Sequence, residues 1–154
     1  MKIEQRIAEL GLTLPEVKPP LFRYAPAVEF QNMVFISGQV ARINGKSPYT
    51  GRVPDVVSEE EAKECARICT LQALAWVKQT IGDLDRVERV VKVTGFVNSA
   101  PDFGSQPSII DACSSMLFDI FGEAGLHARA AVGMAALPGL VPVEIEFIFG
   151  IRAR

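Results

Sequence analysis

Near the C-terminus, Val143-Glu144-Ile145-Glu146-Phe147-Ile148-Phe149 alternates residue by residue, with two glutamates at the alternate places. Successive side chains of a strand point to opposite faces, so Val143, Ile145, Phe147 and Phe149 belong to one face, and Glu144, Glu146 and Ile148 to the other. A strand of this kind demands a sheet with one apolar, covered face and a differently treated reverse. Just upstream, Ala128–Ala136 is small and apolar but follows His127 and carries Arg129, and Leu137-Pro138-Gly139 joins it to Val143–Ile151. On that first segment Arg129, Ala131 and Gly133 share a face, and Ala130, Val132 and Met134 the other.

The rest of the chain supplies the layers such a sheet needs. Ile3, Ile7 and Leu10 are at helical spacing and Gly11 is a stop, so a short helix opens the chain. Pro15, Pro19 and Pro20 make the following stretch a linker. Residues 22–30 and 33–40 read as a hairpin turning at Gln31-Asn32. A loop rich in Gly and Pro follows, up to residue 57. Ser58 with Glu61 forms a capping box, and Cys65, Ile68, Cys69, Ala73, Trp76 and Val77 repeat at helical spacing up to Gly82. Residues 87–97 are rich in β-branched types and read as a strand, and 98–104 as a turn. A second helix starts at Ser105 or Gln106 before Pro107, shows Ile109, Ala112, Met116, Ile120 and Phe121 to the core, and stops at Gly122.

The order is therefore ββαβαββ after the N-terminal helix. The expected fold is α+β: a mixed sheet with both long helices on one face. Its other face lacks a helical cover, which predicts packing of subunits sheet against sheet. All 154 residues form one domain, with 1–20 as an N-terminal helix and linker extension.

Charge and composition narrow the function. A net charge of −2, a single histidine and the lack of any Lys/Arg run argue against a nucleic-acid partner. The longest uncharged run, Ala130–Val143, is broken by Pro138, Gly139 and Pro142 and falls short of the ~20 residues of a membrane span. A cytoplasmic protein is the expectation. Three cysteines are an odd count for a disulfide framework. Cys65, Cys69 and Cys113 read as buried small hydrophobes, not metal ligands.

Arg129, with Glu144 and Glu146 on the other segment, raises the question of chemistry. For Arg129 beside a glutamate on a neighbouring strand, the simplest role is a cross-strand ion pair. Against that, Ala128, Ala130 and Ala131 leave room beside Arg129, and its guanidinium matches a small carboxylate bidentately. Glu146 is read as structural, Trp76 as core, Tyr49 as loop packing, and His127 as a surface or interface residue.

The segment RAAVGMAALPGLVPVEIEF resembles the C-terminal signature of the RidA/YjgF family, the reactive enamine/imine deaminases also described as endoribonuclease L-PSP-like. RYAPAVEFQNMVFISGQV is similar to that family's first hairpin. GRVPDVVSEE is similar to its loop before the first helix, and VVKVTGFVNSAPDF to its central strand. The resemblance runs in order from about residue 20 to the end and marks a divergent subgroup with an N-terminal extension. It implies a chorismate-mutase-like fold, a homotrimer with clefts between subunits, and no metal or organic cofactor.

The resemblance also implies roles. Arg129 would grip the substrate carboxylate and Glu144 would position water and handle protons. Tyr24, Ser37, Gly38 and Ala131 would line the cleft. The expected reaction hydrolyses enamines and imines of the 2-aminoacrylate type to 2-keto acids and ammonia. The chain departs from the family pattern at Ala131, where a cysteine is usual, at Pro107, where an asparagine is usual, and at His127, where a proline is usual. Those departures keep a second function open: a small-carboxylate binding or regulatory module of the same fold with little turnover.

Overall fold

A computed structural model describes residues 2–153. Its elements are α1 (Lys2–Glu9), β1 (Ala27–Phe30), β2 (Met33–Val40), α2 (Glu59–Ile81), β3 (Val87–Asn98), α3 (Gln106–Phe121), β4 (Ala128–Met134) and β5 (Val143–Ile151). The sheet has five strands in the order β1-β2-β5-β3-β4. All neighbours are antiparallel except β3 and β4, which run parallel. Parallel neighbours cannot be joined by a tight turn, and α3 supplies the crossover between them.

Local signals in the sequence place most boundaries. Gln31 and Asn32 both take positive φ (48° and 59°), the backbone of a type I′ turn whose twist suits two-residue hairpins. At α2 the capping box is complete: Glu61 N–H donates to Ser58 Oγ (3.2 Å) and Ser58 N–H to Glu61 Oε2 (2.8 Å). Gly82, at φ 86°, closes that helix by donating to Lys78 O.

Three expectations change. The first strand begins at Ala27 rather than residue 22, and β4 ends at Met134, where its ladder with β3 runs out opposite Asn98. More consequentially, β4 and β5 are not neighbours, because β3 lies between them and pairs with both. Among the described residues no cross-strand Arg129–glutamate pair forms.

One face of the sheet carries the core. Val93, Val97, Ile145, Phe147 and Phe149 are fully or almost fully buried against Cys69, Ala73 and Leu74 of α2 and Ile109, Ile110 and Leu117 of α3. Phe147 and Phe149, two residues apart, stack with centroids 5.9 Å apart. Cys65, Cys69 and Cys113 are free and buried, and Trp76 is buried in the same cluster. Burial, foremost, pushes the Cys65 and Cys113 thiols up to about 12. They are protonated packing groups at neutral pH. The reverse face leaves Val28, Phe30, Phe35, Val132 and Met134 more than a third exposed.

The N-terminal extension is docked on the helical layer. Lys2 and Ile3 N–H groups donate to the two carboxylate oxygens of Asp85 (2.8 Å each), Glu4 pairs with Lys78 (2.9 Å), and Ile7 is buried. Backbone donation from Ile3, foremost, holds the Asp85 carboxyl down at about 2. Among the described residues no helix is long and apolar enough to cross a membrane.

Candidate functional site

Arg129 stands on β4, an edge strand, opposite Val93, a fully buried residue of the helix-facing side. Its side chain therefore reaches over the end of the core towards α3. Nη1 donates to Asp111 Oδ1 and to Ser114 Oγ, both at 3.1 Å. Asp111 and Ser114 are three residues apart on α3 and so share a helical face. Nε and Nη2 have no partner among the described residues, which leaves one two-donor edge of the guanidinium open. Arg129 also lines a groove of about 750 Å³ between α2 and α3, where Lys63, Arg67 and Ser115 lie as well.

The residues flanking Arg129 on the same face are small for a reason. Ala131 packs against the core. A side chain at Gly133 would meet the Gln106 amide and the Ser99 hydroxyl, each 2.8 Å from its first carbon. The room this creates is filled by the start of α3.

His127, the residue immediately before β4, is bonded inward. Nδ1 donates to the Gly125 carbonyl (2.6 Å), and Nε2 lies 2.8 Å from Ser114 Oγ. Burial, then the nearby Arg129 charge, lowers its pKa below the ordinary value near 6.5. His127, expected at a surface or interface, is half-buried and tied to Arg129 through Ser114. Asp111, Ser114 and His127 form a polar set, of which Asp111 and Ser114 are the members that motif reading passed over. The available signal was a polar pair at spacing three, flanking the core positions Ile110 and Cys113.

Glu144 lies on the opposite face of the sheet. It sits on β5 between Val40 of β2 and Phe96 of β3, with Glu146 two residues along on the same side. Half-burial, and secondarily the Glu146 charge, raises its pKa above the ordinary carboxylate value. Gly38 is the residue that makes room for it. A β-bulge between Ile36 and Gln39 brings the Gly38 backbone onto the Glu144 side chain. A methyl group there would stand 2.9 Å from Glu144 Cδ and 3.1 Å from Cγ, and nearer still to Oε1.

The bulge is pinned from beneath. Gln39 is turned into the core and donates to Ser37 O (2.9 Å), Cys69 donates to Gln39 O (3.2 Å), and Gln72 bridges Val40 O and Arg42 N (2.8 Å each). Gln72 is a further residue the motif reading missed, hidden within an amphipathic helix. Ser37 Oγ is committed to the Ala25 carbonyl (2.7 Å). Tyr24, half exposed, lines with Gly38 and Gln39 a second hollow of about 700 Å³, one wall of which is the linker around Pro15–Lys18.

One chain thus brings Glu144, Gly38 and Ser37 together, with Tyr24 beside Gly38, but keeps Arg129 apart. Two strand spacings and three residues of rise separate Glu144 from Arg129, roughly 14 Å between Cα atoms, with the sheet between their side chains.

The comparisons with known proteins follow this geometry. Residues 4–149 match the family described as "YjgF/chorismate mutase-like, putative endoribonuclease". Protein TCP17 of Trypanosoma cruzi is 35% identical over 146 residues, covering 94% of this chain and 91% of its own. The 2-iminobutanoate/2-iminopropanoate deaminase of mouse is 32% identical over 126 residues, covering 81% and 78%. The crystal structure of Agrobacterium tumefaciens protein Atu1372 superposes with a TM-score of 0.89 at 41% identity, covering 98% of this chain and 92% of that one. With the mixed five-stranded sheet, the two helices on one face and the matched span of nearly the whole chain, the protein belongs to the YjgF/RidA family.

Proposed function

We propose that the protein hydrolyses small enamines and imines bearing a carboxylate to 2-keto acids and ammonia. The observation that carries this reading is Glu144: a half-buried carboxyl whose pKa burial raises above the ordinary carboxylate value, held against a glycine and suited to passing a proton. Arg129 supplies the anchor, its open Nε–Nη2 edge matching a carboxylate. The mouse relative, an iminobutanoate/iminopropanoate deaminase by name, supports the same chemistry.

The steps balance without a further reactant. The enamine carbon takes a proton while the nitrogen gives one up, which yields the imine. Water then adds its oxygen to the imine carbon and one proton to the nitrogen, and the new hydroxyl passes its remaining proton to the nitrogen as the C–N bond breaks, releasing ammonia and leaving the keto acid. Glu144 is the group proposed to pass these protons. Because Arg129 and Glu144 lie on opposite faces of one sheet, a common cleft needs residues of two copies. The exposed apolar face around Phe30 and Phe35 is the surface proposed to be buried in a homotrimer.

Ala131 favours a second reading. It presents a methyl group packed on the core where the family resemblance calls for a cysteine, as a carboxylate-binding module with little turnover would allow. The test generates 2-aminoacrylate and its homologues enzymatically and follows keto-acid release by wild type, Arg129→Ala and Glu144→Gln. Hydrolysis no faster than in buffer ends the enzyme reading. Pyruvate binding that survives in wild type and vanishes in Arg129→Ala then establishes the module.

A further inference from the structure

We infer that Ser114 and His127 are positioning residues for Arg129, joined in one directional hydrogen-bond chain that ends on the Gly125 carbonyl. The inference rests on the reading of Arg129 as the carboxylate anchor and adds to it the device that holds the anchor in place. Proton bookkeeping fixes every direction in the chain. A carbonyl only accepts, so His127 Nδ1, 2.6 Å from Gly125 O, carries the ring proton. In the neutral ring Nε2 is then a bare acceptor, and the Ser114 hydroxyl proton points to it over 2.8 Å. This leaves the Ser114 oxygen lone pairs facing Arg129 Nη1 at 3.1 Å. Each bond polarises the next, from the guanidinium through the hydroxyl and imidazole to the backbone.

The far end of the chain is rigid. Gly125 is buried against the backbone of α3, where a side chain would collide with Leu117 O and stand 2.9 Å from Phe118 N. The carbonyl that orients His127 is therefore fixed relative to the helix that carries Ser114. The other partner of Arg129, Asp111, has a side chain 64% exposed, and an exposed ion pair alone holds a long side chain weakly. Both Nη1 protons are consumed by Asp111 and Ser114, so the chain sets which edge of the guanidinium stays free for a ligand.

The test uses the full-length, untagged protein, in which His127 is the one histidine and its imidazole resonances need no assignment. Nitrogen NMR is expected to show the Nδ1–H tautomer at pH 7.5, and pyruvate is expected to shift the Nε2 signal in wild type but not in Ser114→Ala. Calorimetry with pyruvate is expected to give roughly tenfold weaker binding for Ser114→Ala. His127→Phe should weaken binding less, Ser114→Thr should restore it, and the double variant should be no worse than Ser114→Ala. With imine substrates KM rises by the same factor while kcat changes less than twofold. An Nε2–H tautomer, or unchanged pyruvate affinity in both Ser114→Ala and His127→Phe while Arg129→Ala abolishes binding, overturns the inference and leaves the anchor standing. Undiminished binding in Arg129→Ala removes the anchor, and the inference with it.

Discussion

Replacing Gly38 with alanine separates the position of Glu144 from its presence. Gly38 has no positive φ, so alanine fits its backbone and gains about 0.4–1 kcal/mol by restricting the unfolded chain. Against that, the new methyl group would stand 2.9 Å from Glu144 Cδ and nearer to Oε1. A carbon–oxygen contact needs more room, so the carboxylate must move by about 1 Å. A shift made by swinging Glu144 off its rotamer costs about 0.5–1.5 kcal/mol. The two effects nearly cancel, and the net change in folding stability should stay within about 1 kcal/mol of zero. A 1 Å displacement of a catalytic group, by contrast, costs on the order of 100-fold in rate, or about 2.7 kcal/mol of barrier. Urea denaturation and imine hydrolysis on the same preparation test this. The expected outcome is near-native stability, a loss of kcat near two orders of magnitude, and pyruvate affinity within threefold of wild type. Wild-type turnover in a folded Gly38→Ala protein would show that the Glu144 position carries no part of the chemistry.

Three further perturbations probe other parts of the structure. Glu144→Gln should raise the thermal midpoint at pH 7–8, because the folded state raises this carboxyl's pKa and so disfavours its charge. The native state binds the proton more tightly, so the advantage of the variant should shrink as pH falls and vanish below the ordinary value of about 4.3. Gly95→Ala should destabilise the fold by about 1–3 kcal/mol in chemical denaturation without changing KM, because its methyl group would press on the fully buried Ile110, 2.9 Å from Cγ2 and nearer to Cδ1. Asp85→Ala should speed hydrogen exchange at the first amides of α1 and leave the β3 and β5 amides protected. In wild type the lowered Asp85 pKa means that this carboxylate's contribution to docking α1 is fully present above about pH 4 and is lost as pH falls towards about 2. Exchange in the variant no faster than in wild type would show that α1 is held by Ile7 and Lys78 instead.

Much of this molecule follows from short-range rules. The capping box at Ser58, the stop at Gly82, the type I′ turn at Gln31-Asn32 and the period-two pattern of Val143–Ile151 each involve residues within four positions of one another. The two faces of β4 and β5 follow from alternation alone, so the sequence by itself determined that Glu144 shares no face with Ile145 or Phe147. It also determined the order of elements and the half-covered sheet. Strand neighbours are a different matter. That β3 separates β4 from β5 depends on ladders spanning some fifty residues of chain, which no local period encodes. Only the tertiary structure therefore decided that Arg129 faces Asp111 and Ser114 rather than a glutamate. It alone placed Gly38 against Glu144, through a bulge pinned by Gln72 more than thirty residues away. Periodicity reports which way a side chain points, whereas its partner is set by long-range packing.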